Sequence, residues 1–461
     1  MEKKNAWLSY TDEDNIKIEE ISRNYINFLS NNKIERECTE EIIKRAKAKG
    51  FRDLNECIKN KTTLFPGDKL YVNNRSKSVA LFVLGTDNIE NGMNILGAHI
   101  DSPRLDLKAN PLYEDTELAY FDTHYYGGIK KYQWVTIPLA LHGVIVKKDG
   151  TKIKVVVGEN ENDPVLGISD LLPHLGGDQM KKEASKVVEG ENLDVLIGSK
   201  PINIDEKEKD GVKSNILNIL RDIYGIEEED FLSAEIEVVP AGRARDFGLD
   251  RSMVMAYGQD DKVCAYTSLE AFLNIEEPKR TISCILVDKE EIGSVGATGM
   301  ESHFYENAIS EICELIGETS HNSARRVLNN SKMLSSDVNA AYDPLYSDAF
   351  DKRNATKFGY GVGFCKYTGS RGKSGSNDAD AEFIAEIRRI MDNNNIRFQI
   401  SELGKVDKGG GGTIAYILAN YNVKVIDCGV GVLSMHAPWE ITSKSDIYEA
   451  YKCYVAFLKE A

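Results

Sequence analysis

The segment TISCILV (residues 281–287) is a continuous, mostly apolar run, and four charged residues, Asp288 to Glu291, follow it directly. Such a run is typical of a strand that is buried on both faces, as in a parallel sheet. After residue 246, similar short runs alternate with segments of helical periodicity. This alternation predicts an α/β domain in which helices cover a mostly parallel sheet.

The chain also predicts an insertion in this α/β domain. SVALFVLG (78–85) and MNILGAHI (93–100) are predicted strands, joined by a hairpin-type turn. Residues 106–245 are β-rich, with an Asp149-Gly150 turn and a charge-dense loop at 204–215. We therefore expect an α/β domain built from residues 1–105 and 246–461, interrupted by a β-rich domain at 106–245. Residues 376–394 predict a helix capped by Ser376 or Asn377.

Charge and hydropathy restrict the partners. The formal net charge of −16 disfavours nucleic acid and anionic membranes, which attract basic patches. No apolar stretch approaches the ~20 residues that span a bilayer. The N-terminal segment lacks the apolar core of a secretory signal, and the eight cysteines are scattered without a CxxC pair. These features predict a cytoplasmic protein with reduced thiols.

Potential metal ligands follow the predicted strands and precede one predicted helix. They are His99 and Asp101, Asp260 and Asp261, Asp288, Glu290 and Glu291, Asp337, and His436. Each residue alone is more often a helix cap, a solvated loop residue or a hydrogen-bonded histidine. Ligands of open α/β sheets, however, bind at the carboxyl ends of the strands. Two histidines with several carboxylates, in a chain of only seven histidines, favour zinc or a similar divalent metal.

The charges of these residues fit two metals. Asp260, Glu291 and Asp337 would supply three negative charges against the four positive charges of two divalent ions. A bridging hydroxide would cancel the remaining charge and would be the nucleophile of a two-metal hydrolase. Because successive side chains of extended backbone point in opposite directions, we expect Glu290 and Glu291 to divide the roles of ligand and general base. The residues alone do not assign the two roles.

Five motifs resemble one known family. GAHIDSPRLDLK, QDD, DKEEIGSVGATG, SSDV and VLSMHAPWE occur in the order and at the spacings of the M18 family of zinc aminopeptidases. The resemblance covers nearly the whole chain, including YYGGIKKYQW and LLPHL in the insertion. It implies a three-layer α/β/α zinc-peptidase domain with a central mixed sheet and an inserted β-rich dimerisation domain. It also implies two Zn²⁺ per subunit, which Co²⁺ or Mn²⁺ could replace, and hydrolysis of the N-terminal residue from peptides.

The resemblance assigns roles to individual residues. His99 and Asp337 would bind one zinc, Glu291 and His436 the other, and Asp260 both. Glu290 would be the general base, Asp101 would orient His99, and the Asp260–Asp261 peptide bond would be cis. The residues that would contact substrate are His174, Lys373, Lys405, Gly410 and Gly411.

The resemblance also implies an assembly. The insertion of this family mediates dimers, which assemble into a hollow dodecamer that admits only peptides. We expect an exposed apolar surface on the insertion, formed by Tyr125, Tyr126, Tyr132 and Trp134.

Some positions depart from the aspartyl aminopeptidases of the family. Asn339, Asp343 and Asp178 stand where those enzymes carry histidines. The preference for the N-terminal residue is therefore open between acidic and neutral or hydrophobic side chains.

Two other functions stay open. A metallo-deacylase or carboxypeptidase on the same scaffold would not require a free α-amine. A catalytically inactive assembly protein would keep the oligomer and lose the chemistry. The presence of Glu290 and of all five candidate ligands argues against the second alternative.

Overall fold

The computed structural model describes residues 4–203 and 210–461, which form two compact units. The first unit contains Met1–Asp101, Ala244–Met435 and Glu440–Ala461, and the second contains Ser102–Arg243 and His436–Trp439. The boundaries of the second unit lie within a few residues of the expected insertion at 106–245. The short segment His436–Trp439 was not expected there.

The helices and strands follow in chain order. The α-helices are α1 (Asp12–Asn31), α2 (Glu35–Ala48), α3 (Leu54–Lys59), α4 (Gly211–Tyr224), α5 (Gln259–Leu273), α6 (Phe304–Ile316), α7 (Ser323–Asn329), α8 (Ala381–Asn393), α9 (Ala415–Ala419) and α10 (Lys444–Glu460). The strands are β1 (Arg52–Asp53), β2 (Lys69–Asn74), β3 (Ser78–Val83), β4 (Asn94–His99), β5 (Arg104–Asp115), β6 (Leu118–Tyr126), β7 (Leu139–Val146), β8 (Lys152–Val157), β9 (Val195–Gly198), β10 (Ala234–Pro240), β11 (Arg245–Phe247), β12 (Met253–Ala256), β13 (Ile282–Val287), β14 (Lys332–Ser336), β15 (Asn339–Ala340), β16 (Val362–Cys365), β17 (Gly369–Ser370), β18 (Phe398–Ser401), β19 (Gly410–Gly411), β20 (Lys424–Gly429), β21 (Gly431–Leu433) and β22 (Glu440–Ser443).

A nine-stranded mixed sheet organises the first unit, in the order β1-β2-β3-β13-β4-β14-β20-β16-β18. Its centre, β13-β4-β14-β20, is parallel, whereas β3 pairs with β2 and β13 in antiparallel fashion. A smaller five-stranded sheet, β11-β12-β22-β21-β15, belongs to the same unit. The expected α/β fold with a central mixed sheet is confirmed.

The burial pattern of β13 explains why helices pack on both faces of the nine-stranded sheet. Its six residues are all buried, and their side chains alternate between the two faces of the sheet. Cys284 and Leu286 pack in an apolar cluster with α1, α2, α5, α8 and α10. Ile285 and Val287 pack in a second cluster with α3, α6, α7 and α9. A strand with helices on both faces needs mostly apolar residues without a polar alternation, which is the pattern of TISCILV.

Three local predictions were wrong. β3 and β4 do not form a hairpin, because β13 lies between them in the sheet, so the turn residues between them do not determine strand pairing. Helix α8 begins at Ala381 and its cap is Asp380, whose carboxylate accepts the Phe383 N–H. In the predicted loop at 204–215, residues 204–209 lie outside the described residues, and α4 begins at Gly211.

The second unit contains a six-stranded antiparallel sheet in the order β8-β7-β10-β5-β6-β9. The predicted Asp149-Gly150 turn joins β7 to β8, which pair as expected. Tyr125 and Tyr132 are exposed, as predicted. Trp134 was expected at the surface but is fully buried, because removing its large apolar indole from water is favourable.

Tyr126 is likewise only partly exposed. The Arg104 guanidinium covers its ring at 3.8 Å from the centroid. Across both units, no helix among the described residues is long and apolar enough to cross a membrane.

Two phenylalanines of the first unit provide a matched test of this core. Phe272 is completely buried in the cluster around α5, whereas Phe65 is 64% exposed. Phe272→Ala should lower the free energy of unfolding by about 3–5 kcal/mol, because it removes buried apolar surface and leaves a cavity. Phe65→Ala should change it by less than about 0.5 kcal/mol. Urea unfolding of the two variants measures the difference, and equal losses would contradict this core.

Candidate metal centre

Three neighbouring parallel strands deliver the predicted site residues to one edge of the sheet. His99 is the last residue of β4, and Asp337 directly follows β14. Glu290 and Glu291 lie in a 3-10 turn, Glu290–Ile292, shortly after β13. Because β13, β4 and β14 are adjacent and parallel, their carboxyl ends meet. Asp260 joins them from the first turn of α5.

The His99 imidazole lies at the centre of this group. Its Nε2 atom is 3.2 Å from Asp260 Oδ1 and 3.9 Å from Glu290 Oε2 and from Asp337 Oδ1. Its Nδ1 atom lies 3.1 Å from the backbone carbonyl of Asp101, which can only accept a hydrogen bond, so Nδ1 carries the proton. Nε2 therefore faces the carboxylates and is the atom suited to a metal.

Potential ligand atoms converge in two sets. His99, Asp260 and Asp337 each offer one atom within 4.8 Å of the others, and so do His99, Glu290 and Glu291. Nitrogen and carboxylate oxygen are the donors that divalent zinc accepts.

The Asp101 carboxylate fixes the backbone of the two adjacent glutamates, Glu290 and Glu291. Its Oδ1 atom accepts the backbone N–H of Glu290 and its Oδ2 atom accepts that of Glu291, both at 3.2 Å. Oδ1 also lies 3.2 Å from Nδ1 of His99. We had expected extended backbone to separate the two glutamates, but they share a 3-10 turn. Consecutive N–H groups of a tight turn point toward the same side, so one carboxylate can hold both.

Two further carboxylates support the site and were assigned no role from the sequence. Asp261 Oδ2 accepts the His99 backbone N–H at 3.3 Å, and Glu440 Oε2 accepts that of Asp260 at 3.0 Å. Both are at most 1% exposed. They lie in the QDD and MHAPWE motifs. Acidic residues without an assigned role in these motifs were the sequence signal that could have identified them. The Asp260–Asp261 peptide bond is cis, as the resemblance implied.

The electrostatics of the site favour a bound cation. Burial, followed by the charge of Asp261, raises the pKa of Asp337 well above its usual value. Burial also raises the pKa of Asp261, with a further contribution from Asp260. Burial would lower the pKa of His99, but its hydrogen bonds with Asp101 and Asp260 hold it well above the usual value. A divalent cation would offset the repulsion among these buried carboxylates.

Asp288, the first acidic residue after β13, is not among the described residues that converge as potential metal ligands. It is 1% exposed, and its carboxylate accepts a hydrogen bond from the Thr298 hydroxyl at 2.6 Å. Burial and the charges of Glu35 and Asp101 raise its pKa to about 7. Asp288 therefore stabilises the turn that follows β13.

Two predicted histidines belong to the second unit. His436 lies in the short segment assigned to it, and its Nδ1 donates to the Gly128 carbonyl at 2.9 Å. This hydrogen bond places the proton on Nδ1, so the lone pair of the ring is on Nε2. His174 is exposed, on the segment that carries Leu171, Leu172 and Leu175.

The other predicted substrate contacts lie on two loops of the first unit. Lys373 is exposed and pairs with Asp378 at 3.0 Å, 4.3 Å from the centroid of the Tyr367 ring. Lys405 is exposed in a turn whose backbone bonds to Ala349. Gly410 and Gly411 form β19, which pairs with β17. Their contact with substrate stays a prediction.

Comparison with known proteins gives matches over the whole chain. A sequence profile described as aminopeptidase I zinc metalloprotease (M18) matches residues 28–458. The probable M18 family aminopeptidase 1 of Clostridium acetobutylicum is 58% identical over 457 residues, covering 99% of this chain and 98% of the relative. The corresponding protein of Thermotoga maritima is 46% identical over 465 residues, covering 100% and 99%.

Solved structures agree with these matches. The crystal structure of an M18 family aminopeptidase from Thermotoga maritima has a TM-score of 0.95 at 46% identity, with complete coverage of both chains. That of aminopeptidase I from Clostridium acetobutylicum has a TM-score of 0.92 at 57% identity, covering 100% of this chain and 99% of the other.

The Asp101 carboxylate gives the first test of the site. In Asp101→Asn, only one oxygen is left to accept the N–H groups of Glu290 and Glu291, so the turn should lose its fixed position. We expect zinc affinity to fall about 10–100-fold, as for other residues that orient metal ligands. Titration against a competing chelator measures this change.

A remote carboxylate provides the control for this variant. Asp68 accepts the Phe65 N–H at 2.8 Å and pairs with Arg52 at 2.7 Å, in the same unit. Asp68→Asn should leave zinc affinity at the wild-type value. Wild-type affinity in Asp101→Asn would show that Asp101 does not organise the centre.

Proposed function

The chain belongs to the M18 family of zinc aminopeptidases and is a metallo-aminopeptidase, and from that premise we propose a dinuclear hydrolase that removes the N-terminal residue from peptides. The observation that carries the proposal is the position of His99. Its Nε2 atom faces Asp260, Glu290 and Asp337 where three parallel strands end. We place the enzyme in the cytoplasm.

Five residues would hold the two zinc ions. His99 and Asp337 would bind the first, Glu291 and His436 the second, and Asp260 would contact both. The donor set, two imidazoles and three carboxylates, suits zinc and also permits cobalt or manganese. When bound, the ions would stabilise negative charge and lower the pKa of water, the chemistry expected of two-metal hydrolases.

Glu290 moves the proton in this proposal. Its carboxylate takes a proton from the water that attacks the peptide carbonyl, and it returns the proton to the leaving amine as the C–N bond breaks. Glu290 is suited to this role because its backbone is fixed by Asp101 while its side chain stays partly exposed, at 15%. The assignment of Glu290 as base and Glu291 as ligand follows the family motif.

We propose a neutral or hydrophobic preference for the N-terminal residue. The Asn339 amide donates to the Gly363 and Gly429 carbonyls and is engaged in the core. Asp343 caps the turn Pro344–Ala349 by accepting the Leu345 N–H at 2.9 Å. Neither residue supplies the positive charge that an acidic substrate side chain would require.

We also propose that the second unit forms dimers, which assemble into a dodecamer. Leu175 is 69% exposed and Met180 is 76% exposed, both on one segment of this unit. Leu171 and Leu172 on the same segment are also exposed, and a cluster of exposed apolar side chains is typical of a surface that another protein covers. His174 lies beside them, and its contact with substrate stays a prediction.

A panel of aminoacyl substrates tests the function. Leucyl and alanyl nitroanilides should be hydrolysed faster than aspartyl nitroanilide, whether the enzyme is supplied with zinc, cobalt or manganese. An N-acetylated leucyl substrate should not react, because an aminopeptidase needs the free α-amine. Hydrolysis of the acetylated substrate would favour the deacylase alternative, and no turnover of any substrate would favour an inactive assembly protein.

Paired variants separate the roles of the two glutamates. Glu290→Gln removes the proton acceptor and leaves the ligands in place, so the rate should fall by at least about 10²–10⁴-fold with metal content near two ions per chain. Glu291→Gln should lose both activity and one ion. Initial rates and elemental analysis of the same samples measure this difference. If Glu290→Gln lost metal and Glu291→Gln kept it, the two roles would be reversed.

Charge substitutions test the proposed assembly. Wild-type protein at micromolar concentration should scatter light as a particle far larger than a dimer. Leu175→Asp combined with Met180→Asp should give smaller particles, because burying unpaired carboxylates in an interface is unfavourable. Leu8→Asp, at a site 80% exposed in the first unit, is the control and should keep the wild-type mass. A monomeric wild type would refute the assembly.

A further inference from the structure

Two loops that we expect to contact substrate form one short ribbon. The Lys373 loop (residues 366–378) contains β17, and the glycine-rich loop (residues 408–413) contains β19. Ser370 pairs with Gly410. Gly410 has a φ of 127°, and a Cβ atom there would lie 2.5 Å from the Gly369 carbonyl oxygen, so only glycine fits.

Both loops are anchored on the same strand, β20. The Asn377 side chain donates from Nδ2 to the Val425 carbonyl at 3.0 Å. The Thr413 hydroxyl donates to Asp427 Oδ1 at 2.5 Å. Asp427 is only 3% exposed, so this carboxylate lies inside the domain and not among the exposed groups of the loops.

The same carboxylate reaches the strand that leads to a candidate metal ligand. The Ser335 hydroxyl of β14 donates to Asp427 Oδ1 at 3.0 Å. Ser335 lies two residues before Asp337, whose backbone N–H donates to the carbonyl of Cys428 at 3.1 Å. One buried side chain therefore connects the glycine-rich loop to the position of Asp337.

The proposed chemistry does not use this carboxylate, although its burial is costly. A buried acid that only filled space would be replaced by an apolar residue without loss. Asp427 instead accepts from one hydroxyl on the loop and one on the sheet. This arrangement makes the loop position depend on the sheet that carries the site.

We propose that Asp427 is a positioning residue that acts through Thr413: it fixes the glycine-rich loop relative to Asp337, so that the loop backbone holds the peptide in one orientation. This inference rests on the proposed function and deepens it, because it identifies the part of the site that determines substrate affinity.

The hydroxyl of Thr413 offers a conservative test. Thr413→Val keeps the volume and removes the hydrogen bond to Asp427 together with the acceptor of the Ala415 N–H at 3.2 Å, whereas Thr413→Ser keeps both. Because a hydrogen bond to a charged group contributes about a tenfold effect or more, we expect KM for a leucyl peptide to rise about tenfold in Thr413→Val. The value of kcat should stay within about twofold, and Thr413→Ser should recover the wild-type KM.

Two readouts distinguish positioning from general damage. Metal content should be unchanged in Thr413→Val, and its urea midpoint should fall by an amount similar to that of Thr281→Val, because each variant loses the hydrogen bonds of one hydroxyl. Thr281→Val is the matched control, because the Thr281 hydroxyl is buried and accepts the Gly85 N–H at 3.0 Å, at the opposite end of β13. It should leave KM unchanged.

A double-mutant cycle tests whether Thr413 acts through Asp427. Asp427→Ala should raise KM at least as much as Thr413→Val does, because it also removes the Ser335 hydrogen bond, and the double variant should be no worse than Asp427→Ala, because both substitutions remove the Thr413–Asp427 bond. Additive effects would overturn the proposal, and so would wild-type KM in Thr413→Val. If Asp427→Ala does not fold, the comparison of Thr413→Val with Thr413→Ser decides. An inactive wild type would instead refute the proposed function itself.

Discussion

The parallel pairing of β4 with β13 and β14 is the constraint on which the site depends. The register places His99 opposite Val287 and Gly97 opposite Ser335. A shift of one residue in this register would turn the His99 side chain to the other face of the sheet. The burial of β13, β4 and β14 fixes the register, because slipped strands would expose apolar side chains and bury polar ones. The core of the domain thus determines the position of the imidazole.

Around this imidazole, backbone groups are held by carboxylates that would not themselves touch the metals. Asp101 holds the N–H groups of Glu290 and Glu291, Asp261 that of His99, and Glu440 that of Asp260. The common alternative for such acids, a position in a solvated loop, does not apply, because all three supporting carboxylates are buried. Ligands that are oriented before the metal binds lose less freedom on binding, and this pre-organisation is what a hydrolytic centre requires.

The sequence predicted those strands and site residues that a single local pattern of residues determines. A continuous, mostly apolar run identified β13, and the polar residues after the predicted strands identified the candidate site, because strand ends converge in a parallel sheet. Strand order could not be predicted in the same way. The turn between β3 and β4 suggested a hairpin, but β13, about 180 residues later in the chain, pairs between them. Local turn residues carry no information about such a distant partner.

The sequence also could not predict which polar and aromatic side chains are buried or which hydrogen bonds they make. Trp134 was predicted to belong to an exposed aromatic surface, yet it is completely buried. Asp288 and Glu290 are both acidic and two residues apart, but one bonds to Thr298 and the other faces His99. The order of five motifs gave the candidate ligands by resemblance. It did not identify Asp427, whose partners lie on a loop and on another strand.

The sequence separation of the site residues has a consequence during synthesis. His99 and Asp337 lie about 240 residues apart, and translation at ~5–20 residues per second separates their appearance by ten seconds or more. For most of this interval β4 has left the ribosome without β13 and β14, with its apolar side chains exposed. The nascent chain therefore needs protection from aggregation before its central sheet can close. In the same interval it cannot assemble a centre that would digest other emerging chains.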